Sequence, residues 1–231
     1  MQSHHDTPGA ALEHKIAASL DLLRRLAAEH GPRRVAVAWS GGKDSTVALA
    51  LWRGVLAQVH PGARVLALSL DTRLKFPETL AFRDGLARDW DIDLRVAAPD
   101  AAAGLPQPQD KAACCTARKI EPLREAIARL DLAVLVTGLR GDEHASRAGR
   151  PVLEPRTGPD HLQANPLLAW TELDVWAYTL DHGLPYCTLY DQGYASLGCQ
   201  PCTLRPDDGE RSGRHPDKEA LLEQLHSLGY F

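Results

Sequence analysis

Apolar positions along the chain alternate between two kinds of pattern. Short, nearly uninterrupted apolar runs occupy Arg34–Trp39, Val65–Leu70, Leu94–Ala97 and Leu132–Thr137. Runs of that length predict strands buried on both faces. Between and around them, apolar residues fall at helical spacing. Ala11–Glu29 carries Leu12, Ile16, Leu20, Leu23 and Leu26 and is stopped by Gly31-Pro32. Ser45–Val59, Glu78–Trp90 and Cys114–Arg129 predict further helices. Thr171–Asp181 predicts another, with Thr171 as N-cap and Glu172 in its first turn. Asp217–Leu228 predicts a final amphipathic helix. Pro99–Gln109 reads as a loop, Pro151–Asn165 as irregular and Gly183–Gly209 as turn-rich.

Strands that alternate with helices predict an α/β fold with a doubly wound, mostly parallel sheet. The expected division is a disordered arm at 1–10, a nucleotide-binding catalytic domain at 11–214 and a C-terminal helical tail at 215–231. Ligands of such sheets lie beyond the carboxyl ends of the strands. Three polar turns follow strands here: the run from Ser40, Asp71-Thr72, and the turn from Gly138. They are expected to meet in one crevice.

Composition narrows the function. The chain has 231 residues, a formal net charge of −4 and 24% charged residues. That balance argues against a broad nucleic-acid footprint but leaves room for a local basic pocket. No apolar run reaches membrane-spanning length, and the polar start, Met1–Gly9, has no signal-peptide core. A cytoplasmic protein with no membrane and no nucleic-acid partner is expected. In a reducing compartment, paired cysteines point to metal ligands or redox thiols rather than disulfides.

The first motif is Ser40-Gly41-Gly42-Lys43-Asp44-Ser45, directly after Val35-Ala36-Val37-Ala38-Trp39. Two glycines allow close backbone approach to an anion, and the following helix start offers free N–H groups. Hydroxyls and Lys43 add donors and charge. The spacing is not that of a Walker A loop. The second motif is the cysteine set, Cys114-Cys115 and Cys199-Gln200-Pro201-Cys202. Adjacent cysteines at a helix start can reach one centre together. Four thiolates suit a cubane iron-sulfur cluster or zinc, and the vicinal pair favours iron. Cys187 is the fifth cysteine. Arginines form a third group: Arg140 and Arg147 after the fourth strand, and Arg211 and Arg214 in a Gly-rich turn. A guanidinium fork matches sulfate or phosphate oxygens. The plain alternative is pairing with Asp142, Glu143 or Glu210.

The loop Ser40–Ser45 resembles that of the adenine nucleotide alpha hydrolase-like (PP-loop) proteins. Within that group, further segments resemble the assimilatory adenylyl-sulfate and phosphoadenylyl-sulfate reductases. They are Leu70-Asp71-Thr72 with Phe76-Pro77-Glu78-Thr79, Thr137-Gly138-Leu139-Arg140 with Arg147, and Asp191–Tyr194 leading to Cys199–Thr203. The likeness implies a sulfate-assimilation oxidoreductase that binds adenylyl sulfate (APS), or its 3′-phosphorylated form (PAPS), and releases sulfite and AMP. It implies a 4Fe-4S cofactor on Cys114, Cys115, Cys199 and Cys202, the arrangement of the form that takes APS. Arg118 and Lys119 follow the first pair as in the family, where a lysine links cluster and substrate electrostatically. Ser40–Ser45, Leu70, Asp71, Thr72, Arg118, Gly138, Arg140, Arg147, Arg211 and Arg214 become the expected substrate contacts. A thioredoxin-like reductant and a homo-oligomer are also expected.

The family's tail carries a nucleophilic cysteine in Glu-Cys-Gly, and no such triplet occurs here. Cys187 is therefore the spare thiol, as a displaced nucleophile or a packing residue. Arg140–Arg147, Lys75-Phe76, Phe82-Arg83-Asp84 and the ending Gly229-Tyr230-Phe231 resemble the small subunit of sulfate adenylyltransferase. That relative makes APS and pyrophosphate from ATP and sulfate beside a GTPase subunit. It supplies the alternative function, with a catalytically silent nucleotide-binding partner as the other.

Overall fold

The computed structural model describes residues 8–100, 104–206, 209 and 211–230. Its sheet has six strands: β1 Val35–Ala38, β2 Leu66–Leu70, β3 Asp93–Ala97, β4 Val134–Val136, β5 Leu153–Arg156 and β6 His161–Ala164. Their order is β3-β2-β1-β4-β6-β5. All neighbours run parallel except the β5–β6 hairpin at one edge. The central strands β1 and β4 are buried along their whole length, as uninterrupted apolar runs require. The expected parallel α/β architecture is present.

Two apolar layers cover the sheet. On one face α1 (Pro8–His30) and α2 (Lys43–Val59) pack Leu23, Leu26, Leu49, Trp52 and Val55 onto Val35, Val37, Val134 and Val136. On the other, α5 (Glu121–Arg129) sets Leu123, Ala126 and Ile127 against Ala36, Leu68 and Leu135. From β1 the chain moves outward through α2 and α3 (Pro77–Asp89) to β2 and β3, then returns to place β4 on the opposite side of β1. The order therefore reverses between β1 and β4, which opens a crevice at their carboxyl ends.

Helix α6 (Glu172–Asp181) starts where Thr171 predicts it. The Thr171 Oγ1 accepts from Asp174 N–H at 3.2 Å, and the Asp174 carboxylate accepts from Thr171 N–H at 2.7 Å. Asp174 also pairs with Lys15 of α1 at 2.6 Å. Thr171→Ala should lower stability by about 1 kcal/mol in urea unfolding; an unchanged midpoint would show that the Lys15 pair holds this helix start unaided.

Four expectations change. Helix α1 begins at Pro8, inside the expected arm, whose first seven residues lie outside the described ones. Pro151–Asn165 is not irregular but contains the β5–β6 hairpin. Short polar strands broken by Pro155, Gly158 and Pro159 carry little periodicity, and pairing with β4 orders them. The Cys114–Arg129 helix begins earlier, as α4 (Lys111–Cys115), and passes through a π turn at Thr116–Ile120 before α5. The final helix is two pieces, α7 (Pro216–Glu219) and α8 (Leu222–Ser227). This last segment packs against the rest of the chain. Leu225 is fully buried against Cys115 and Ile120, and Leu222 and Tyr230 face the crevice.

Candidate active site

The crevice holds a cavity of about 150 Å³ that opens to solvent. Its floor is the turn after β1. Gly41 has φ +83°, a conformation that favours glycine, and Thr79 packs against it. Ser40, Gly42, Asp44 and Ser45 line the cavity, whereas Gly41 and Lys43 do not. The turn is internally bonded: Ser40 N–H donates to Ser45 Oγ at 3.2 Å, and Gly42 N–H to Ser40 Oγ at 3.2 Å. Lys43 N–H donates to the Tyr190 hydroxyl at 2.9 Å.

Lys43 was expected to face the anion. Instead its side chain is fully buried, donating to Ala195 O at 3.1 Å and lying 3.5 Å from both Asp44 and Glu172. It pins the segment that carries Tyr190 and Ala195. Arg140 is redirected in the same way. It has no exposed surface and pairs with Asp44 and, at 2.9 Å, with Asp142. It holds Asp44 at the crevice edge and does not line it. Asp71 accepts from Arg73 N–H at 2.8 Å and shapes its own turn. For Arg140, the carboxylate-paired alternative is the one realised.

Five cations do line the crevice: Lys75, Lys119, Arg147, Arg211 and Arg214. Among the described lining residues, only Asp44 and Glu143 oppose them. The pocket is therefore cationic within a chain of net charge −4. Arg147 pairs with Glu143, and Arg211 makes two 2.7 Å contacts to Glu219 and a 3.4 Å contact to Glu143. Burial alone would raise the Glu143 carboxyl, but Arg147, Arg140 and Arg211 outweigh it and hold it below its ordinary 4.5. Arg214 has no carboxylate partner among the described residues. It donates to Ser196 Oγ at 2.6 Å and Leu197 O at 2.9 Å, and burial lowers its pKa. Gly198 makes room for it, since a Cβ there would overlap Arg214 Nη1. Lys75 was not among the expected site residues. Its Nζ donates to Ser40 O at 3.3 Å, and burial, then the Lys119 charge, push its pKa down to about 8. The apolar-polar alternation could not flag it, because its place follows from the bridge between Lys75 and Cys199, two segments distant in the chain.

Leu70 and Thr72 line a neighbouring, more apolar slot of about 60 Å³, with Ala38, Trp39 and Leu68. Lys75, Lys119 and Tyr230 belong to both cavities. Gly138 lines the crevice as expected.

Cys114, Cys115, Cys199 and Cys202 are buried, free of disulfides, and line one further, small cavity. The chain brings them together through α4, an antiparallel bridge Lys75–Cys199, and the 3-10 turn Gln200–Cys202. Among the described residues, no three His, Cys, Asp or Glu side chains converge to hold one metal ion. The space left between the four thiols is small, about 10 Å³, the room of a single water-sized sphere. Burial and then Cys115 raise the Cys114 thiol, with Arg118 opposing. Arg118, expected at the substrate, lies in this cavity instead. It donates to Thr72 O at 3.1 Å, and its buried Nε has no partner. Four thiols, an unpartnered Arg118 Nε and a Thr72 hydroxyl 3.1 Å from Cys199 Sγ are a donor set whose chemistry suits an anionic group bound through sulfur. Lys119 lines both this cavity and the crevice, because the π turn sets Arg118 and Lys119 inward together.

Cys187 is fully buried beside Phe76 and Leu189, and burial raises its thiol. A nucleophile needs exposure and a lowered pKa. Cys187 is a packing residue and lies outside the crevice lining. No helix of the described residues is long and apolar enough to cross a membrane.

Comparison with known proteins agrees with this geometry. Residues 34–205 match the phosphoadenosine phosphosulfate reductase domain. The chain is 34% identical over 227 residues to an adenosine 5′-phosphosulfate reductase of Streptomyces coelicolor, covering 94% of this chain and 92% of that protein. It is 34% identical to a Salinibacter ruber adenosine 5′-phosphosulfate reductase (75% and 71% covered) and to a Xanthomonas axonopodis pv. citri phosphoadenosine 5′-phosphosulfate reductase (80% and 78%). Among solved structures, Candida glabrata FMN adenylyltransferase with FAD and pyrophosphate aligns with TM-score 0.74 at 19% identity, over 90% of this chain and 68% of that one. The Candida auris phosphoadenylyl-sulfate reductase in its phosphate complex aligns at 0.67 and 20%, over 88% and 100%. Those two likenesses bear on fold alone, whereas the sequence match and the motifs at the strand ends decide the family: this chain belongs to the phosphoadenosine phosphosulfate reductase domain family.

Proposed function

We propose that this chain is an adenylyl-sulfate reductase-type enzyme that binds APS beside a 4Fe-4S cluster. The observation that carries the reading is the shared wall. Lys119 belongs at once to a five-cation crevice and to a cavity lined by four cysteines. The phosphosulfate would lie against Arg147, Arg211 and Arg214, and the base in the slot between the ends of β1 and β2. Cys114, Cys115, Cys199 and Cys202 would hold the cluster, which supplies a fixed, desolvated charged group next to the substrate. Choosing APS over PAPS rests on the four-cysteine set; both substrates occur in the names of the relatives.

In the proposed reaction a thiolate attacks the sulfate sulfur. An S–S bond forms, the S–O bond to the adenylate phosphate breaks, and AMP leaves with the electron pair. A second thiol then displaces sulfite and is oxidised to a disulfide. Arg214 and Lys119 would steady the oxygens on which charge accumulates. With Cys187 buried, the attacking thiol would come from outside the residues of this sequence.

Anaerobically prepared protein should be brown and hold about four irons per chain. With a thioredoxin and a thiol donor it should release sulfite from APS faster than from PAPS. A colourless protein that binds no iron, or one that releases pyrophosphate from ATP and sulfate without forming sulfite, would overturn the reading.

A further inference from the structure

The C-terminal segment reaches the partition between the crevice and the apolar slot. Its last described residue, Tyr230, lines the crevice and the apolar slot together with Lys75 and Lys119. Lys119 Nζ donates to the Tyr230 hydroxyl at 3.3 Å and sits 4.9 Å from the ring centroid. Tyr230 N–H donates to Leu225 O at 2.9 Å, and Leu225 is fully buried against Ile120 and Cys115. Arg156 donates to His226 O at 2.9 Å, tying α8 to the β5–β6 hairpin. The ring is thus delivered by a segment anchored on the very helix that carries Lys119.

We propose that Tyr230 is a positioning residue for Lys119, and that residues 221–230 complete the substrate site. Two cations, Lys75 and Lys119, stand at this partition and repel each other. The ring face and hydroxyl give the Lys119 ammonium a fixed seat pointing at the crevice. A bound adenylate then meets a cation already in place, so less side-chain freedom is lost on binding. This inference rests on the adenylate reading above.

The test is a double-mutant cycle on AMP binding, measured by calorimetry on the full chain: Tyr230→Leu, Lys119→Met and the pair. Tyr230→Leu should weaken AMP about tenfold in the native background and less than about twofold in the Lys119→Met background. Tyr230→Phe keeps the ring and should lose about threefold. Equal losses in both backgrounds would mean that Tyr230 acts through packing alone and would overturn the proposal. So would unchanged affinity in Tyr230→Leu. If Tyr230→Leu does not fold, Tyr230→Phe in both backgrounds decides by the same criterion. A native chain that binds no AMP would sink the adenylate reading itself, a separate outcome.

Discussion

Arg214→Ala should weaken binding of adenylyl sulfate about 100-fold, the value of a desolvated charged hydrogen-bonding group. Among the arginines of the crevice, Arg214 alone lacks a carboxylate partner in the described residues. Its charge is held by neutral acceptors, Ser196 Oγ, Thr203 Oγ1 and Leu197 O. An arginine already paired to a carboxylate gives an anion only part of its charge, whereas Arg214 offers all of it. Arg214→Lys should recover little, since an ammonium cannot reproduce the fork seated beside Gly198. Gly198→Ala should give a smaller loss of affinity, because the new Cβ displaces the end of the Arg214 side chain rather than backbone. Calorimetric titration of APS into the three variants checks the order. Wild-type affinity in Arg214→Ala would remove Arg214 from the site.

Glu143→Gln should destabilise the protein by about 3 kcal/mol, the cost of removing one partner from a buried ion cluster. Glu143 is the common acceptor for Arg147, Arg211 and the Arg140 N–H. The same change should tighten binding of inorganic sulfate a few-fold, because it frees the Arg147 guanidinium at the crevice and leaves Arg211 paired with Glu219 alone. Stability and affinity therefore move in opposite directions, which general damage to the fold would not produce. The pH dependence follows from the depressed carboxyl. Glu143 releases its proton more readily folded than unfolded, so its contribution is complete above about 4.5 and is lost as pH falls through the lower folded value. The stability gap between wild type and Glu143→Gln should shrink in that acid range. Denaturant titrations from pH 7 to pH 3 measure it, and a gap independent of pH would show that the carboxylate charge is not what stabilises the cluster.

These two residues also show how far the sequence could be read. Glu143 appeared there only as one possible partner for surface arginines; the fold makes it the hub of three. Arg147, Arg211 and Arg214 were legible as candidates for an anion site and do line the crevice, although Arg147 and Arg211 also take the carboxylate pairing that was the alternative. Lys43 and Arg140 carried the same signal but point away from the crevice, into Glu172, Asp44 and Asp142. Residue type and spacing do not tell which way a long side chain turns. Lys75 and Tyr230 stood in the sequence only within segments that resemble the adenylyltransferase small subunit, and nothing there placed them at this site, since one is brought in by its bridge to Cys199 and the other by docking of α8.

The sequence alone determined the alternation of strands and helices, the turn after β1, and the pairing of the four cysteines that share a cavity. These are local patterns: period, turn chemistry and close spacing survive without knowledge of distant contacts. Only the tertiary structure decided that β5 and β6 form, that Arg118 serves the cysteine cavity, that Cys187 is core, and that Lys119 stands between two chambers. Each depends on what lies across the sheet or the crevice. Burial and charge pairing between segments a hundred residues apart arise only when the chain closes on itself.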